Sequence, residues 1–211
     1  MRAEPQTVHS AREAAIRAHQ AGELDKAAKL YSRTIAFSDV ADANVYANYG
    51  ALLRQQEKID RAAVVYRRGL AAFPDSQALL KNYGNLLMQE GNAHLALAQF
   101  VKAEDGLNNS NKLGKIHRLQ AQALSELGYS RLAMQLLKPI LRNNPDDQTL
   151  RLGMTELCLE MNDLSEANKL SKPLFRNFKP TLSQAFSFSN ILLKLGEFDE
   201  AITRFQSANI H

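Results

Sequence analysis

The sequence predicts an all-α chain of stacked helix–turn–helix units, and three observations point there. Gly50, Ala62, Tyr66 and Gly69 return as Gly84, Ala96, Phe100 and Ala103, each displaced by 34 residues. A self-similar period of that length is the mark of a helical repeat solenoid. Alanine then recurs at one position of six successive units, as Ala27, Ala62, Ala96, Ala133, Ala167 and Ala201. Finally, a 45% apolar fraction with only 7% aromatic residues, no Trp and six Pro suits helices rich in Ala and Leu.

Counting each unit from seven residues before its small Gly or Ala residue, units begin at Val8, Ala43, Gln77, Gly114, Gln148 and Leu182. Residues 1–7 are expected to be a disordered N-terminal segment, and residues 8–211 the repeat array. Each unit should hold a first helix, a tight turn and a second helix. The turn residue, at repeat position 15, is Gly22, Glu57, Gly91, Gly128, Asn162 and Gly196. Gly and Asn adopt the left-handed conformation that ends a helix at low cost, so only Glu57 breaks the rule. Acidic residues follow in several units (Asp25, Asp60, Asp163, Asp199), where the dipole of the second helix favours negative charge.

The alanine at position 20 implies two backbones crossing too closely for a larger side chain. Four residues on stands a large residue, Tyr31, Tyr66, Phe100, Leu137 or Phe205, with Ser171 the exception. Pro74 and Pro145 close their units at position 32, where a residue that cannot continue a helix sets the path of the next.

On these residues the chain resembles the tetratricopeptide repeat family, whose pattern has small residues at positions 8, 20 and 27, bulky ones at 4, 7, 11 and 24, and Pro at 32. The match is strong in units two and three: Tyr46, Tyr49, Gly50, Leu53, Ala62, Tyr66, Gly69 and Pro74, then Leu80, Tyr83, Gly84, Leu87, Ala96, Phe100 and Ala103. Later units are looser, with Thr155 and Ser189 at position 8 and Ile140 and Leu174 at position 27. The resemblance implies a right-handed α–α superhelix of about six repeats with a concave ligand groove.

Two features break the regularity. The segment 105–114 carries three extra residues and is dense in Asn, Ser and Gly, which reads as an irregular loop. The sixth unit also stops at His211 without a polar capping helix. Repeat arrays need such caps, so Leu192, Ile202 and Phe205 are expected to offer an uncovered apolar face able to self-associate.

Catalytic and metal chemistry find little footing. The five histidines form no pair four residues apart, and there is no Gly-rich phosphate loop. His117 falls at packing position 4 and the lone Cys158 at core position 11. Glu156 and Glu160, one turn apart, read as a charged groove patch. No catalytic residue, metal site or cofactor is expected. A single cysteine excludes an intrachain disulfide, no apolar run is long enough for a membrane span, and a secretory signal is lacking; a cytoplasmic location fits. The net charge of +4 is spread evenly along the chain, which argues against nucleic acid. The basic cluster Arg61, Arg67 and Arg68 reads as a solvated helix face.

The resemblance places groove-lining residues at first-helix positions 2, 5, 6, 9, 12 and 13. They include His19 and Gln20 in unit one, and Asn48, Arg54 and Gln55 in unit two. Lys81, Asn82 and Asn85 follow in unit three, and Arg118 in unit four. Asn48 and Asn82 share position 6 and are similar to the asparagine ladder of O-linked N-acetylglucosamine transferase arrays, where amides hold a peptide backbone. An amide suits that task because it is donor and acceptor together. The candidate peptide-binding residues are therefore Asn48, Asn82, Asn85, Arg54, Lys81 and Arg118. The carboxylate clamp of chaperone-binding repeats starts with Lys81 and Asn85 but is broken by Leu119. The functional expectation is a protein–protein interaction scaffold that binds an extended peptide or partner surface. The alternative is a substrate-recognition arm of a larger enzyme of glycosyltransferase, sulfotransferase, methyltransferase or oxygenase type.

Overall fold

Six left-handed turn residues divide the chain as the period requires. Gly22, Glu57, Gly91, Gly128, Asn162 and Gly196 all have positive φ, between 57° and 83°. Glu57, at φ 59°, pays the Cβ penalty that glycine escapes. The computed structural model describes the backbone of residues 5–37, 42–105, 107, 109–175 and 182–208, and most of the side chains within those ranges.

Among the described residues there are twelve α-helices and no strand. In chain order they are α1 (Pro5–Gln20), α2 (Leu24–Phe37), α3 (Ala43–Gln55), α4 (Ile59–Ala72), α5 (Gln77–Gln89), α6 (Ala93–Glu104), α7 (Ser110–Glu126), α8 (Ser130–Asn143), α9 (Gln148–Glu160), α10 (Leu164–Ser171), α11 (Leu182–Leu195) and α12 (Phe198–Ala208). A short 3-10 turn, Lys172–Phe175, follows α10.

Helices α3, α5, α9 and α11 begin at the residues the repeat register assigns. Two others start earlier. Helix α1 begins at Pro5, a residue suited to a first helical turn because its missing N–H has no partner there. Helix α7 begins at Ser110, so residues 110–114 of the expected loop are helical. The reason is local: Asn109 Oδ1 accepts the amides of Asn111 and Lys112 at 3.0 and 3.1 Å, an N-cap that satisfies two orphan donors. Asp42, Asp147 and Asp163 cap α3, α9 and α10 in the same way, accepting Val45, Leu150 and Glu166 amides at 3.0, 2.8 and 3.0 Å.

The chain forms two compact units, Met1–Ala123 and Leu124–His211. In the first, helices pair as α1 with α2, α3 with α4, and α5 with α6, and each pair packs on the next. In the second, α9 packs with α8, α10 and α11, and α11 with α12. All six position-20 alanines are at most 2% exposed. Position 24 fills the space they leave. Tyr31, Tyr66 and Phe100 are fully buried, and a Cβ added at Gly50 or Gly84 would lie closer than 3.0 Å to three carbons of the Tyr66 or Phe100 ring. Glycine at position 8 is therefore the space an aromatic occupies.

The side chain of Phe205 lies outside the described residues. Leu192, expected on the open face of the last unit, is instead buried at 2% exposure, on a helix that packs against α9, α10 and α12. Ile202 is exposed, as are Phe198 and Phe186. No described helix is long and apolar enough to cross a membrane.

Candidate functional site

The first-helix face of the N-terminal unit brings several expected groove residues together. Tyr31 reaches this face from α2, beside Ile16, His19 and Gln20 of α1 and Asn48 and Gln55 of α3; these six line an open recess of about 450 Å³. Three amides and an imidazole thus surround an aromatic wall. The ring of His19 meets that of Tyr31 edge-on with centroids 6.1 Å apart, a favoured aromatic geometry.

Burial raises the Tyr31 phenol above its ordinary pKa, and a hydrogen bond from Asn48 opposes the rise. The Asn48 amide is therefore partly committed inside the protein. The repeat shows why it is there. Tyr31 at position 24 of unit one meets Asn48 at position 6 of unit two, whereas Phe100 shares an apolar cluster with Leu119 at the same positions of units three and four. A hydroxyl needs a polar neighbour and a phenyl ring does not. The Tyr66 hydroxyl, by contrast, is buried with no hydrogen-bond partner among the described residues, and burial pushes it up to about 12 against the pull of the Arg54 guanidinium.

Asn82 and Asn85 lie half-buried on α5, and among the described residues neither amide has a hydrogen-bond partner. Lys81 beside them is exposed. Arg54 is half-buried near Tyr66, and Arg118, also half-buried, is already engaged in an interaction. Of the six expected residues, only Asn48 lines the recess. Arg12, a further groove position, is held by Asp42 at 2.6 Å. Tyr31 was legible only as a core filler, because its role on this face depends on the unit that follows.

Position 7 carries a second departure. Tyr49 and Tyr83 stand there in units two and three, each 6.1 Å centroid to centroid from the position-24 tyrosine before it. Gln120 replaces them in unit four and builds a polar network instead. Its Nε2 donates to Glu104 Oε2 at 2.8 Å and to the Phe100 carbonyl at 3.3 Å, while His117 Nε2 lies 3.2 Å from Glu104 Oε1. The Gln120 bond, then the His117 bond, holds the Glu104 carboxyl below its usual range.

In the C-terminal unit, Cys158 is fully buried, and burial is the main force pushing its thiol up to about 11, with Asp163 and Glu166 adding to it. That suits a packing residue, since the reactive form is the thiolate. The Glu156 carboxyl is raised by burial and by Glu160 one turn away, with Lys194 opposing. Glu160 accepts weak bonds of 3.4 Å from Ser125 and Ser130.

Comparison with known proteins agrees with this architecture. Residues 43–86 match the family profile described as tetratricopeptide repeat. No curated protein sequence matches the chain. Among solved structures, PilW, a widely conserved type IV pilus biogenesis factor, superposes with a TM-score of 0.82 at 17% identity, covering 95% of this chain and 91% of that one. PilF of Pseudomonas aeruginosa gives 0.75 at 14% identity, covering 94% and 89%. YrrB, described as a repeat protein of this family with an unusual peptide-binding site, gives 0.65 at 19%, covering 86% and 91%. Residues 43–86 thus resemble the tetratricopeptide repeat, and the fold of the chain is that of proteins built from such repeats.

Proposed function

We propose that this protein is a non-catalytic scaffold that binds an extended peptide along the first-helix face of its N-terminal unit. The observation that carries the reading is the 450 Å³ recess, where Gln20, Asn48 and Gln55 offer donors and acceptors beside Tyr31 and His19. A face of amides suits a peptide backbone, whose N–H and C=O groups alternate and are the same whatever the side chains. Next along the same helix series, Asn82 and Asn85 hold amides without described partners, and Lys81 and Arg54 favour acidic side chains on the ligand. A nearly closed pocket of small-molecule type would instead be mostly apolar and would bury its ligand.

The test is selection of peptides from a random displayed library on the full chain, followed by titration of a selected peptide. Each amide bond contributes about 0.5–1.5 kcal/mol net. Asn82→Ala/Asn85→Ala should therefore weaken binding by roughly one to two decades while circular dichroism stays unchanged. Unchanged affinity in that variant and in Gln20→Ala/Gln55→Ala would place the ligand elsewhere.

A further inference from the structure

On the opposite, second-helix side of the same unit, α2 and α4 barely touch each other, and an open cleft of about 620 Å³ lies between them. Its lining carries Lys29 and Arg33 from α2, Arg61 from α4 and Lys58 from the turn between α3 and α4, with Asp25 of α2 and Tyr49 of α3. Four cations and one carboxylate leave a strong positive excess in one hollow. The carboxylate offsets only one of the four: Asp25 Oδ1 accepts from Gln56 Nε2 at 3.1 Å, and Gln56 Oε1 accepts from Lys58 at 3.0 Å. Lys29, Arg33 and Arg61 have no hydrogen bond or ion pair among the described residues, although Lys29 stands one turn from Asp25 on one helix.

Sequence order groups Arg61 with Arg67 and Arg68, yet only Arg61 lines the cleft. Folding breaks that cluster and assembles another from residues up to 32 positions apart. Like charges converging in a concave surface repel one another and focus a field outward, so a ligand of opposite sign is stabilised there.

We infer that the cleft between α2 and α4 is a second docking site, distinct from the amide face, and that its occupant is an acidic peptide segment of a partner protein. Charge complementarity sets the sign. Extent sets the class: the cations stand on two walls and a turn, which matches carboxylates spaced along a chain, whereas a single phosphate is held by converging forks or a ring of backbone amides. A nucleic acid would need a basic track running beyond one hollow, and the net charge of this chain is spread evenly along it.

The experiment uses the full chain and a fluorescein-labelled hexaglutamate peptide, read by fluorescence anisotropy at low salt. Saturable binding is expected. Arg33→Glu/Arg61→Glu should lower affinity by roughly 10- to 100-fold. Arg67→Glu/Arg68→Glu, an identical charge change on exposed residues outside the cleft, should lower it by no more than about threefold. The neutral Arg33→Gln/Arg61→Gln guards against misfolding of the reversed pair and should fall between wild type and that pair. Equal losses in the two reversed pairs, or no saturable binding, would overturn the proposal. So would displacement of the peptide by millimolar inorganic phosphate at matched ionic strength, or tighter binding of a hexathymidylate. Asn82→Ala/Asn85→Ala should leave hexaglutamate binding intact, so failure here and failure of the amide face are read separately.

Discussion

Units three and five solve one packing problem in different ways. In unit three, Gly84 leaves a void at position 8 that the Phe100 ring fills from position 24. In unit five both residues are small: Thr155 stands at position 8 with no exposure, and Ser171 at position 24 is also buried. Each new hydroxyl is satisfied within its own helix, Thr155 donating to the Arg151 carbonyl at 2.9 Å and Ser171 to the Asn168 carbonyl at 3.0 Å. Helix crossing at the position-20 alanine is kept in both, since Ala96 and Ala167 are fully buried. Buried residues thus occupy both positions in each unit, but as different pairs: glycine with an aromatic in unit three, two small hydroxyl residues in unit five. The family profile matches residues 43–86, which hold the glycine–aromatic pair of unit two, and helix pairs continue through unit five.

The comparison breaks most sharply if the two positions are independent. Phe100→Ser, which gives unit three the position-24 residue of unit five, should cost about 3–5 kcal/mol as a large buried side chain is lost. Gly84→Thr alone should also destabilise, by at least about 1–3 kcal/mol, because its Cβ meets the Phe100 ring. Combined, they should recover about 0.5–3 kcal/mol relative to the sum. Urea titrations of the four proteins measure this, and strict additivity would show that the two positions are not coupled.

A smaller effect is expected at the turns, where Glu57 and Gly196 adopt the same left-handed conformation from opposite chemistry. Glu57→Gly should stabilise by up to about 1 kcal/mol, the Cβ penalty less the extra chain entropy of glycine. Gly196→Ala should destabilise by about 1 kcal/mol through backbone strain alone, since no atom lies within 4 Å of the added Cβ. Thermal melts of both variants in opposite directions would sharpen the comparison; shifts of one sign would contradict it.

The smallest effects separate the two compact units by pH. Glu104, in the first, has a lowered pKa. It contributes stability above its unfolded value of 4.5, and that contribution is lost as pH falls through the folded value. Glu156, in the second, has a raised pKa. Its favourable contribution is present below 4.5 and is lost as pH rises through the folded value. Both carboxylates are partly solvated, so the changes should be modest. Urea midpoints taken between about pH 3 and 7 should flatten on the acid side in Glu104→Gln and rise near neutrality in Glu156→Gln. Parallel pH curves for both variants and the wild type would show that neither carboxylate is coupled to folding.

Much of the fold was legible because repeat contacts are local. The turn residues, the alanine crossings and the starts of α3, α5, α9 and α11 each depend on residues within one unit, and their period of 34 or so multiplies a weak signal. Local capping was readable in principle too, in Asn109 and in the aspartates before α3 and α9, but it carries no period and shifted the start of α7. The candidate site was less legible. Groove positions followed from the repeat, whereas the state of each side chain did not: Asn48 is engaged by Tyr31, Arg12 by Asp42, and Asn82 and Asn85 by no described group.

By itself, then, the sequence determined the unit, its register and the faces its helices present, since these follow from backbone chemistry and spacing within about 34 residues. Only the tertiary structure decided which side chains of successive units meet. It joined Tyr31 to Asn48, Gln120 to Glu104, and Arg33 to Arg61 across one cleft. The physical reason is that stacking brings together positions whose separation along the chain carries no pattern, and charge and hydrogen bonding act through space once the helices are in place.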